Sequence, residues 1–423
     1  MDRRFFLKTS GISLASLGFM AAAPEFLHQF ASAQTMFNVT GGKKKVLVTI
    51  FQRGAVDGLN VLVPYGESEY YNLRPTIAVP KPGQTDGAIR IDDTFGLHPS
   101  LKPFEPYFKS GQMAAITAVG SPDNTRSHFD AQDYMESGTP GNKGTADGWL
   151  NRCMQAAAEK DPSPFRAVSM TQQLPRALYG HASSIAMSNL GDFSVKAGIF
   201  STDLQNGFEA AWQQNASAGL GDTGKETFEA VNFLKSANPA QYKPENGATY
   251  PNSDFGRSMQ QIAQLIKANV GLEVAFTDTG NGIRWDTHTN EGGARGQLAN
   301  FLGQFSQAIA AFAQDLGKRM DDVVVLTMSE FGRTARQNGG GGTDHGHANT
   351  MFVLGNSVKG GKVYGDFKGL KNEHLYEGRD LDLTTDFRDV FAEVALKQLG
   401  AKDLSKVFPN YSANASKFKG FLS

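Results

Sequence analysis

The sequence predicts an α/β protein, a three-layer sandwich in which helices cover both faces of a mainly parallel central sheet. Two patterns favour this class. Short apolar runs rich in β-branched residues indicate strands that are buried on both faces. Longer amphipathic segments lie between or after some of these runs, and the alternation of strand and helix is typical of a parallel sheet.

The first strand is expected at residues 46–51, where the run VLVTIF contains no charged residue. Similar runs predict strands at residues 114–119, 274–276 and 323–328, and residues 351–354 are a further candidate. Because a strand in the interior of such a sheet has no polar face, we expect these runs to form the centre of the sheet.

Three amphipathic segments predict helices that pack on this sheet. They span residues 257–270, 297–316 and 386–399, with apolar side chains repeating every three or four positions. Thr385 precedes the last segment and is a candidate N-cap, because its hydroxyl could accept a hydrogen bond from the first turn.

The composition excludes several classes of protein. Forty-one Lys and Arg residues against 42 Asp and Glu residues leave a net charge of −1, so the basic surface of a nucleic-acid-binding protein is not expected. The single cysteine, Cys153, permits neither an internal disulfide nor a paired-cysteine metal site. We expect Cys153 to be a small core residue on a helix.

The N-terminus has the pattern of a twin-arginine export signal. Residues 2–8 read DRRFFLK, a weakly apolar run follows at 11–23, and the small residues 31–33 form a cleavage site. The apolar run is shorter than the roughly 20 residues that a membrane-spanning helix needs. We therefore expect residues 1–33 to be removed on export to the periplasm or the extracellular space.

The remainder, residues 34–423, is expected to form one domain without a membrane span. Residues 201–256 differ from the rest because they are polar, rich in Asn, Ala and Gly, and poor in apolar runs. We interpret this stretch as an insertion or cap over the sheet.

Four polar clusters follow predicted strands, where ligands bind in open α/β sheets. The clusters comprise residues 52–60, 123–130, 285–288 and 329–347. Of the eight histidines in the chain, four fall in these clusters. They are His128, His288, His345 and His347.

Histidines and carboxylates from separate loops are the ligand types that a divalent cation such as Zn²⁺ prefers. Asp286 and His288 are two residues apart, so both point to the same side of an extended segment, and His345 and His347 have the same spacing. The glycine run 339–342 would let the backbone approach an ion closely. Each cluster taken alone also fits a turn, a hydrogen-bonded loop or a flexible hairpin.

Arginines lie within a few residues of three clusters. Arg53, Arg126 and Arg333 could each bind phosphate or sulfate oxygens in a bidentate manner. The alternative is that they are ordinary surface arginines.

The clusters, in this order and behind such a signal, resemble the bacterial family called domain of unknown function 1501. The resemblance covers nearly the whole mature chain. It rests on the segments 53–60, 126–133, 285–288, 329–334 and 342–347.

That family in turn resembles the alkaline phosphatase and sulfatase superfamily. The resemblance implies that Asp57 binds a metal, that Ser127 is a nucleophile at a helix N-terminus, and that Asp286 and His288 bind a second metal. Glu330 stands where the superfamily has an Asp-His pair, and the number of metals is therefore one or two.

The last histidine ligand that the resemblance implies is either His345 or His347, and Asp344 beside them is a further candidate ligand. The ion would be Zn²⁺, Mn²⁺, Mg²⁺ or Ca²⁺.

The function implied is hydrolysis of a phosphate or sulfate ester, on a small molecule or a polysaccharide. A metal at Asp57 and Glu330 would activate the Ser127 hydroxyl, and Arg126 would bind the equatorial oxygens of the ester. A second metal at Asp286, His288 and His347 would neutralise the leaving oxygen. The alternative is a non-catalytic exported protein that keeps the fold and binds a polysaccharide or a protein partner.

Overall fold

A computed structural model of the chain describes residues 44–157, 163, 165–190, 242–280 and 282–423. The expected export signal and residues 201–241 of the expected insertion lie outside the described residues. Within these ranges, no helix combines the length and the apolar character needed to cross a membrane.

The strands of the described residues include long central strands and several of two or three residues. In chain order they are β1 (Val46–Phe51), β2 (Leu62–Val63), β3 (Ile89–Arg90), β4 (Gly96–Leu97), β5 (Met113–Gly120), β6 (Ala167–Ser169), β7 (Ile185–Ala186), β8 (Val274–Asp278), β9 (Val323–Met328), β10 (Asn349–Leu354), β11 (Val363–Tyr364), β12 (Leu375–Tyr376), β13 (Asp380–Leu381) and β14 (Thr385–Asp386).

The helices lie between and after these strands. They are α1 (Gly58–Val61), α2 (Ser68–Leu73), α3 (Glu105–Lys109), α4 (His128–Ser137), α5 (Trp149–Ala156), α6 (Asp254–Lys267), α7 (Gln297–Leu316), α8 (Phe387–Lys397) and α9 (Leu404–Val407). Short 3₁₀ turns occur at Pro99–Phe104, Arg176–Leu178, Gly317–Asp321, Asn372–His374 and Ala415–Lys417.

The central sheet has the order β11-β5-β10-β9-β1-β8-β6-β7, and β14 pairs with β5 at one end of β5. Strand β1 is parallel to β8 and β9, whereas β10 is antiparallel to both of its neighbours. The carboxyl ends of β1, β5, β8 and β9 therefore meet the amino end of β10 at one edge of the sheet. The expected α/β class with a mainly parallel sheet is confirmed.

Two hydrophobic cores lie on opposite faces of the sheet. In β1, Val48 and Ile50 pack into one core, and Leu47 and Phe51 pack into the other, because successive strand residues point to opposite faces. Helices α6 and α7 cover the first face, and α5 and α8 cover the second. Cys153 of α5 is fully buried in the second core, as expected.

Two helix boundaries differ from the expectation because of local capping. Helix α6 begins at Asp254, since the Ser253 side chain accepts a hydrogen bond from Gly256 N at 3.1 Å. Helix α8 is capped by the Asp386 carboxylate, which accepts from Arg388 N at 2.9 Å. Thr385 is not this cap, because its backbone pairs with β5 in strand β14.

The described part of the expected insertion, residues 242–256, packs on α7. The buried Asp315 carboxylate accepts hydrogen bonds from Tyr242 Oη at 2.5 Å and Tyr250 Oη at 2.8 Å. Lys267 pairs with the same carboxylate at 2.5 Å. Residues 242–256 are therefore connected to helix α7 through the buried carboxylate of Asp315.

Candidate metal centre

Three loops meet at the edge of the sheet where the strands end. His128 begins helix α4 after β5, Asp286 lies between β8 and α7, and His345 lies between β9 and β10. One nitrogen of each histidine and one carboxylate oxygen of Asp286 lie within 4.8 Å of one another. The antiparallel strand β10 makes this possible, because its amino end brings His345 to the edge where the other strands finish.

The Asp286 carboxylate is the centre of this group. Its Oδ1 lies 3.0 Å from His288 Nε2, 3.2 Å from His345 Nε2 and 2.7 Å from Arg333 Nη1. Its Oδ2 lies 3.5 Å from His128 Nε2. Three imidazole Nε2 atoms thus surround one carboxylate.

The other nitrogen of each of these imidazoles contacts an oxygen that can only accept a hydrogen bond. His128 Nδ1 lies 2.8 Å from Glu330 Oε1, His288 Nδ1 lies 3.1 Å from Asp344 Oδ1, and His345 Nδ1 lies 2.8 Å from the Arg126 carbonyl oxygen. These contacts place a ring proton on each Nδ1, so each Nε2 donates to Asp286 when the ring is protonated and offers a lone pair to a cation when the ring is neutral. Such partners orient histidine ligands in metal sites.

The donor set fits a divalent cation. His128 Nε2 is buried and has no short hydrogen-bond partner, since the Asp286 Oδ2 that it faces lies 3.5 Å away, and a cation between the two would contact both. His288 Nε2 and His345 Nε2 are 3.0 Å apart, a spacing that a shared cation would stabilise. Imidazole nitrogens with one carboxylate are a ligand set typical of Zn²⁺.

The charges around the centre favour an ionised carboxylate. Burial acts to raise the pKa of Asp286, but hydrogen bonds from His128, His345 and Arg333 outweigh it and lower that pKa well below its usual range. Burial acts to lower the pKa of His128, but the neighbouring carboxylates of Asp286 and Glu330 raise it to about 9. Without a cation, His128 is therefore protonated at neutral pH.

The segment that carries Asp286 and His288 is anchored by buried neighbours. Trp285 is fully buried and its Nε1 donates to Thr279 Oγ1 at 2.9 Å, and Thr287 is buried as well. Asp286 and His288 remain about two-fifths exposed, so the same alternation directs both toward the open side.

Two glycines permit the loops to approach this segment. Gly54 has φ of +112°, and a Cβ there would lie 3.0 Å from Asp286 N. Gly342, in the glycine run, lies so close that a Cβ would be 2.4 Å from the Thr287 carbonyl oxygen. The glycine run therefore packs against the backbone beside Asp286 and His288.

Asp57, which we expected to bind metal, lies outside the group of His128, Asp286 and His345. It is buried and forms a bidentate ion pair with Arg74, with 2.9 Å between Oδ1 and Nη2. Burial and the Asp57 charge raise the pKa of the neighbouring Glu291 well above its usual range. Both Asp57 oxygens are therefore already paired with Arg74, and Asp57 as a metal ligand stays a prediction.

Glu330 and Asp344 take supporting positions in place of the ligand positions expected. Glu330 is fully buried and accepts from His128 Nδ1, from Gln132 Nε2 at 2.8 Å and from Gly54 N at 2.8 Å. Asp344 accepts from His288 Nδ1 and from Asn338 Nδ2. Both carboxylates thus orient histidines.

The two candidates for the last histidine ligand, His345 and His347, lie in different surroundings. His345 is in the group, whereas His347 is buried and its ring stacks on Tyr376, with 4.3 Å between centroids. Burial lowers the pKa of His347. The structure gives His347 no place beside Asp286 and His288.

Ser127 and Arg126 lie next to the centre in different ways. Ser127 is the N-cap residue of α4, but its side chain does not cap the helix. The Arg126 carbonyl accepts from His345, while its guanidinium pairs with Asp380 at 2.7 Å and Glu377 at 2.8 Å. The Arg126 guanidinium, which we expected to bind the ester, therefore already contacts two carboxylates.

The other two candidate arginines are also paired. Arg333 donates to Asp286, and Arg53 pairs with Glu136 at 2.7 Å and Asp278 at 3.3 Å. Both guanidiniums therefore already contact carboxylates at this edge of the sheet.

The sequence analysis did not include His128 among the candidate ligands. A signal was present, because His128 is one of the four histidines in the polar clusters. The neighbouring Ser127 was favoured as the functional residue of that cluster, since the spacing along the chain does not show which of two adjacent side chains faces Asp286.

Comparison with solved structures finds weak likenesses. A sulfatase from Pseudoalteromonas sp. has 12% sequence identity, covers 90% of this chain and 72% of its own, and gives a TM-score of 0.38. The zinc-bound C-terminal periplasmic domain of EptC from Escherichia coli has 8% identity, with 75% and 74% covered and a TM-score of 0.36. A protein of the alkaline phosphatase superfamily from Vibrio parahaemolyticus has 9% identity, with 81% and 71% covered and a TM-score of 0.35.

Comparison of the sequence itself is more decisive. No curated protein matches the chain. One family model does, over residues 44–408, and it is described as a protein of unknown function, DUF1501. The match spans the central sheet and all the loops of the metal centre, and the chain belongs to the DUF1501 family.

Proposed function

We propose that this protein is a metal-dependent hydrolase of phosphate or sulfate esters. The observation that carries the proposal is the convergence of three imidazole Nε2 atoms on Asp286, with each Nδ1 contacting an acceptor. Such a set binds a cation tightly only if its ligands are oriented beforehand, and here every imidazole is oriented.

His128, Asp286 and His345 would bind the cation, and His288 lies close enough to Asp286 and His345 to join them. A divalent cation in such a site polarises an ester oxygen and lowers the pKa of a bound hydroxyl. One ion is favoured over two, because Asp57 and His347 lie outside this group.

Ser127 is the proposed nucleophile. It stands between Arg126, whose carbonyl contacts His345, and His128, so its backbone is joined to the centre on both sides. The N-terminus of α4 favours negative charge on a phosphoryl or sulfuryl group placed there.

The proposed reaction has two steps. The Ser127 Oγ attacks phosphorus or sulfur, the ester bond to the alcohol oxygen breaks, and the alcohol leaves with a proton. Water then attacks the serine ester, releases phosphate or sulfate, and returns the proton to Ser127.

The centre is open enough for a substrate. The Asp286 and His288 side chains are about two-fifths exposed. A cleft of about 720 Å³ lies at the same edge of the sheet, beyond the ends of β6 and β8, and its lining includes none of His128, Asp286, His288 and His345. Arg53 lines this cleft together with polar side chains such as Gln172 and Ser258. The next residue, Gly54, packs against the backbone of Asp286. The volume suits a small-molecule or polysaccharide ester.

The N-terminal motif supports action outside the cytoplasm. The twin-arginine pattern of residues 2–8 would direct the folded chain to the periplasm or beyond, with its cation already bound.

The test compares wild type, Ser127→Ala, His345→Ala and the control Ser405→Ala, a serine hydrogen-bonded locally to Asp403. Zinc content and hydrolysis of aryl phosphates and aryl sulfates are measured on each protein. We expect Ser127→Ala to keep its metal and lose hydrolysis, and His345→Ala to lose both. Hydrolysis that persists in Ser127→Ala would exclude the serine mechanism, and a metal-free wild type would exclude the metal centre.

A further inference from the structure

The arginines singled out from the sequence leave the anionic group of a substrate without a cationic side chain. The guanidiniums of Arg53, Arg126 and Arg333 each contact at least one carboxylate. A guanidinium already paired in this way gains little from a second anion. A cationic side chain that assists the cation and the N-terminus of α4 in binding the oxyanion would therefore be another residue.

Among the arginines of the described ranges, only three form no ion pair with a carboxylate. They are Arg152, Arg284 and Arg336. Arg152 is buried and donates to backbone carbonyls, including Val407 O at 2.8 Å. Arg284 and Arg336 are exposed, and both lie in the loops around the centre.

Arg284 shares the exposed face of the segment that carries the metal ligands. From residue 283 to residue 288, buried and exposed side chains alternate. Ile283, Trp285 and Thr287 point inward, whereas Arg284 and Asp286 are exposed. Arg284 is thus an exposed cationic residue two positions from the exposed Asp286, in the same loop.

The charge of Arg284 is available, because Asp286 is already surrounded. The Asp286 carboxylate contacts Arg333 and three imidazoles, and Arg284 makes no hydrogen bond to it. Arg336, in contrast, lines a separate cleft of about 300 Å³ beside Asp344 and Arg379. Arg284 is two positions from Asp286, whereas Arg336 lines the cleft that Asp344 shares.

We propose that Arg284 binds the tetrahedral oxyanion, phosphate or sulfate, at the metal centre. A guanidinium offers two parallel N–H donors that match two oxygens of such a group. Arg284 is thus the anion-binding residue of the proposed hydrolase. Binding of the anion does not depend on the proposed function, whereas the hydrolysis that follows binding does.

The test measures the dissociation constants of inorganic phosphate and inorganic sulfate by calorimetry, on zinc-loaded and on metal-stripped protein. Arg284→Met removes the charge and keeps the aliphatic stem, Arg284→Lys restores the charge, and Arg336→Met is the matched control. We expect Arg284→Met to weaken binding of the anion about tenfold to a hundredfold in both metal states, Arg284→Lys to recover part of it, and Arg336→Met to change it less than about twofold. With an ester substrate, KM should rise more than kcat falls.

Three results would overturn the inference. They are an unchanged dissociation constant in Arg284→Met, an equal loss in Arg336→Met, and no binding of either anion by the wild type. Failure of the proposed function is distinguishable. A protein without zinc that still needs Arg284 for phosphate binding would keep this inference and exclude the metal-dependent hydrolase. Zinc-dependent hydrolysis with an unchanged anion affinity in Arg284→Met would keep the metal-dependent hydrolase and exclude Arg284 as the anion-binding residue.

Discussion

His288 Nε2 and His345 Nε2 lie 3.0 Å apart, and the Nδ1 atom of each ring contacts an oxygen. The Nδ1 atoms contact the Asp344 carboxylate and the Arg126 carbonyl, and neither acceptor can supply a proton. Two Nε2 lone pairs at this distance repel each other, so a proton or a cation is needed between the rings. His128 Nε2 is buried and lies 3.5 Å from the Asp286 carboxylate, so it too carries a proton or contacts a cation.

We first predict that a chelator lowers the melting temperature of the wild type. A cation that binds only the native state stabilises it by about 2.7 kcal/mol at a hundredfold excess over Kd. The double substitution Asp286→Ala with His288→Ala should lower the melting temperature similarly and abolish the response to chelator. Differential scanning calorimetry with and without chelator measures both effects.

The control for this prediction is His181→Ala, which changes an exposed histidine outside the centre. It should respond to chelator as the wild type does. A wild type that contains no Zn, Mn, Mg or Ca and melts identically with chelator would contradict the prediction.

The second prediction concerns pH. The pKa of His128 is raised from 6.5 to about 9, so in the metal-free protein its charge contributes stability that is complete below about pH 6.5 and is lost as the pH rises toward 9. A cation must displace this proton, while Asp286 is ionised throughout because its pKa is lowered. The affinity for zinc should therefore rise about tenfold per pH unit up to the pKa of His128.

A zinc competition titration between pH 6.5 and 8.5 measures this dependence. The metal-free protein should become less stable over the same range, which urea unfolding at each pH would show. A zinc affinity independent of pH would mean that His128 gives up no proton on binding.

The third prediction distinguishes Glu330, which orients a histidine, from His128, which binds the metal itself. Glu330→Gln leaves His128 in place but removes the charge that its Nδ1–H contacts, so metal affinity should fall about tenfold to a hundredfold without being abolished. His128→Ala should abolish it. Equal effects of the two substitutions would indicate that Glu330 is itself a ligand.

The fourth prediction tests the placement of Asp57. Asp57→Asn leaves the buried Arg74 guanidinium without its carboxylate, so the free energy of unfolding should fall by about 3–5 kcal/mol while the zinc content stays unchanged. Because Arg74 outweighs burial and lowers the pKa of Asp57, this contribution is present at neutral pH and is lost only as the pH falls through that low pKa. Loss of zinc with unchanged stability would restore Asp57 as a ligand.

The fifth prediction concerns export. Replacing Arg3 and Arg4 by Lys should leave the precursor in the cytoplasm, because the paired arginines are the core of the twin-arginine signal. Immunoblots of cytoplasmic and periplasmic fractions measure this. Normal periplasmic accumulation of the double variant would refute the assignment.

The sequence by itself determined the fold class and the edge of the sheet at which the candidate metal centre lies. The run at residues 46–51 forms β1 as expected, because a strand that is buried on both faces requires uninterrupted apolar residues. Likewise the amphipathic period of residues 297–316 matches α7 at both ends. These features are local, and the periodicity of a segment records them.

The sequence also brought attention to Asp286, His288 and His345, because charged and titratable residues gathered where strands end. It could not decide which residues of these loops bind and which support. His128 and Glu330 are 202 positions apart, and their contact depends on the spatial order of β5 and β9 with β10 between them.

Only the tertiary structure decided the partners of the charged groups. Asp57 pairs with Arg74 and Arg126 pairs with Asp380, and both carboxylates are fully buried. A charge buried without a partner is costly, so each charged group takes the nearest opposite charge that the fold supplies. Arg74 is 17 positions from Asp57, whereas Asp380 is 254 positions from Arg126. Which opposite charge is nearest depends on how the whole chain folds, and no spacing along the sequence contains that information.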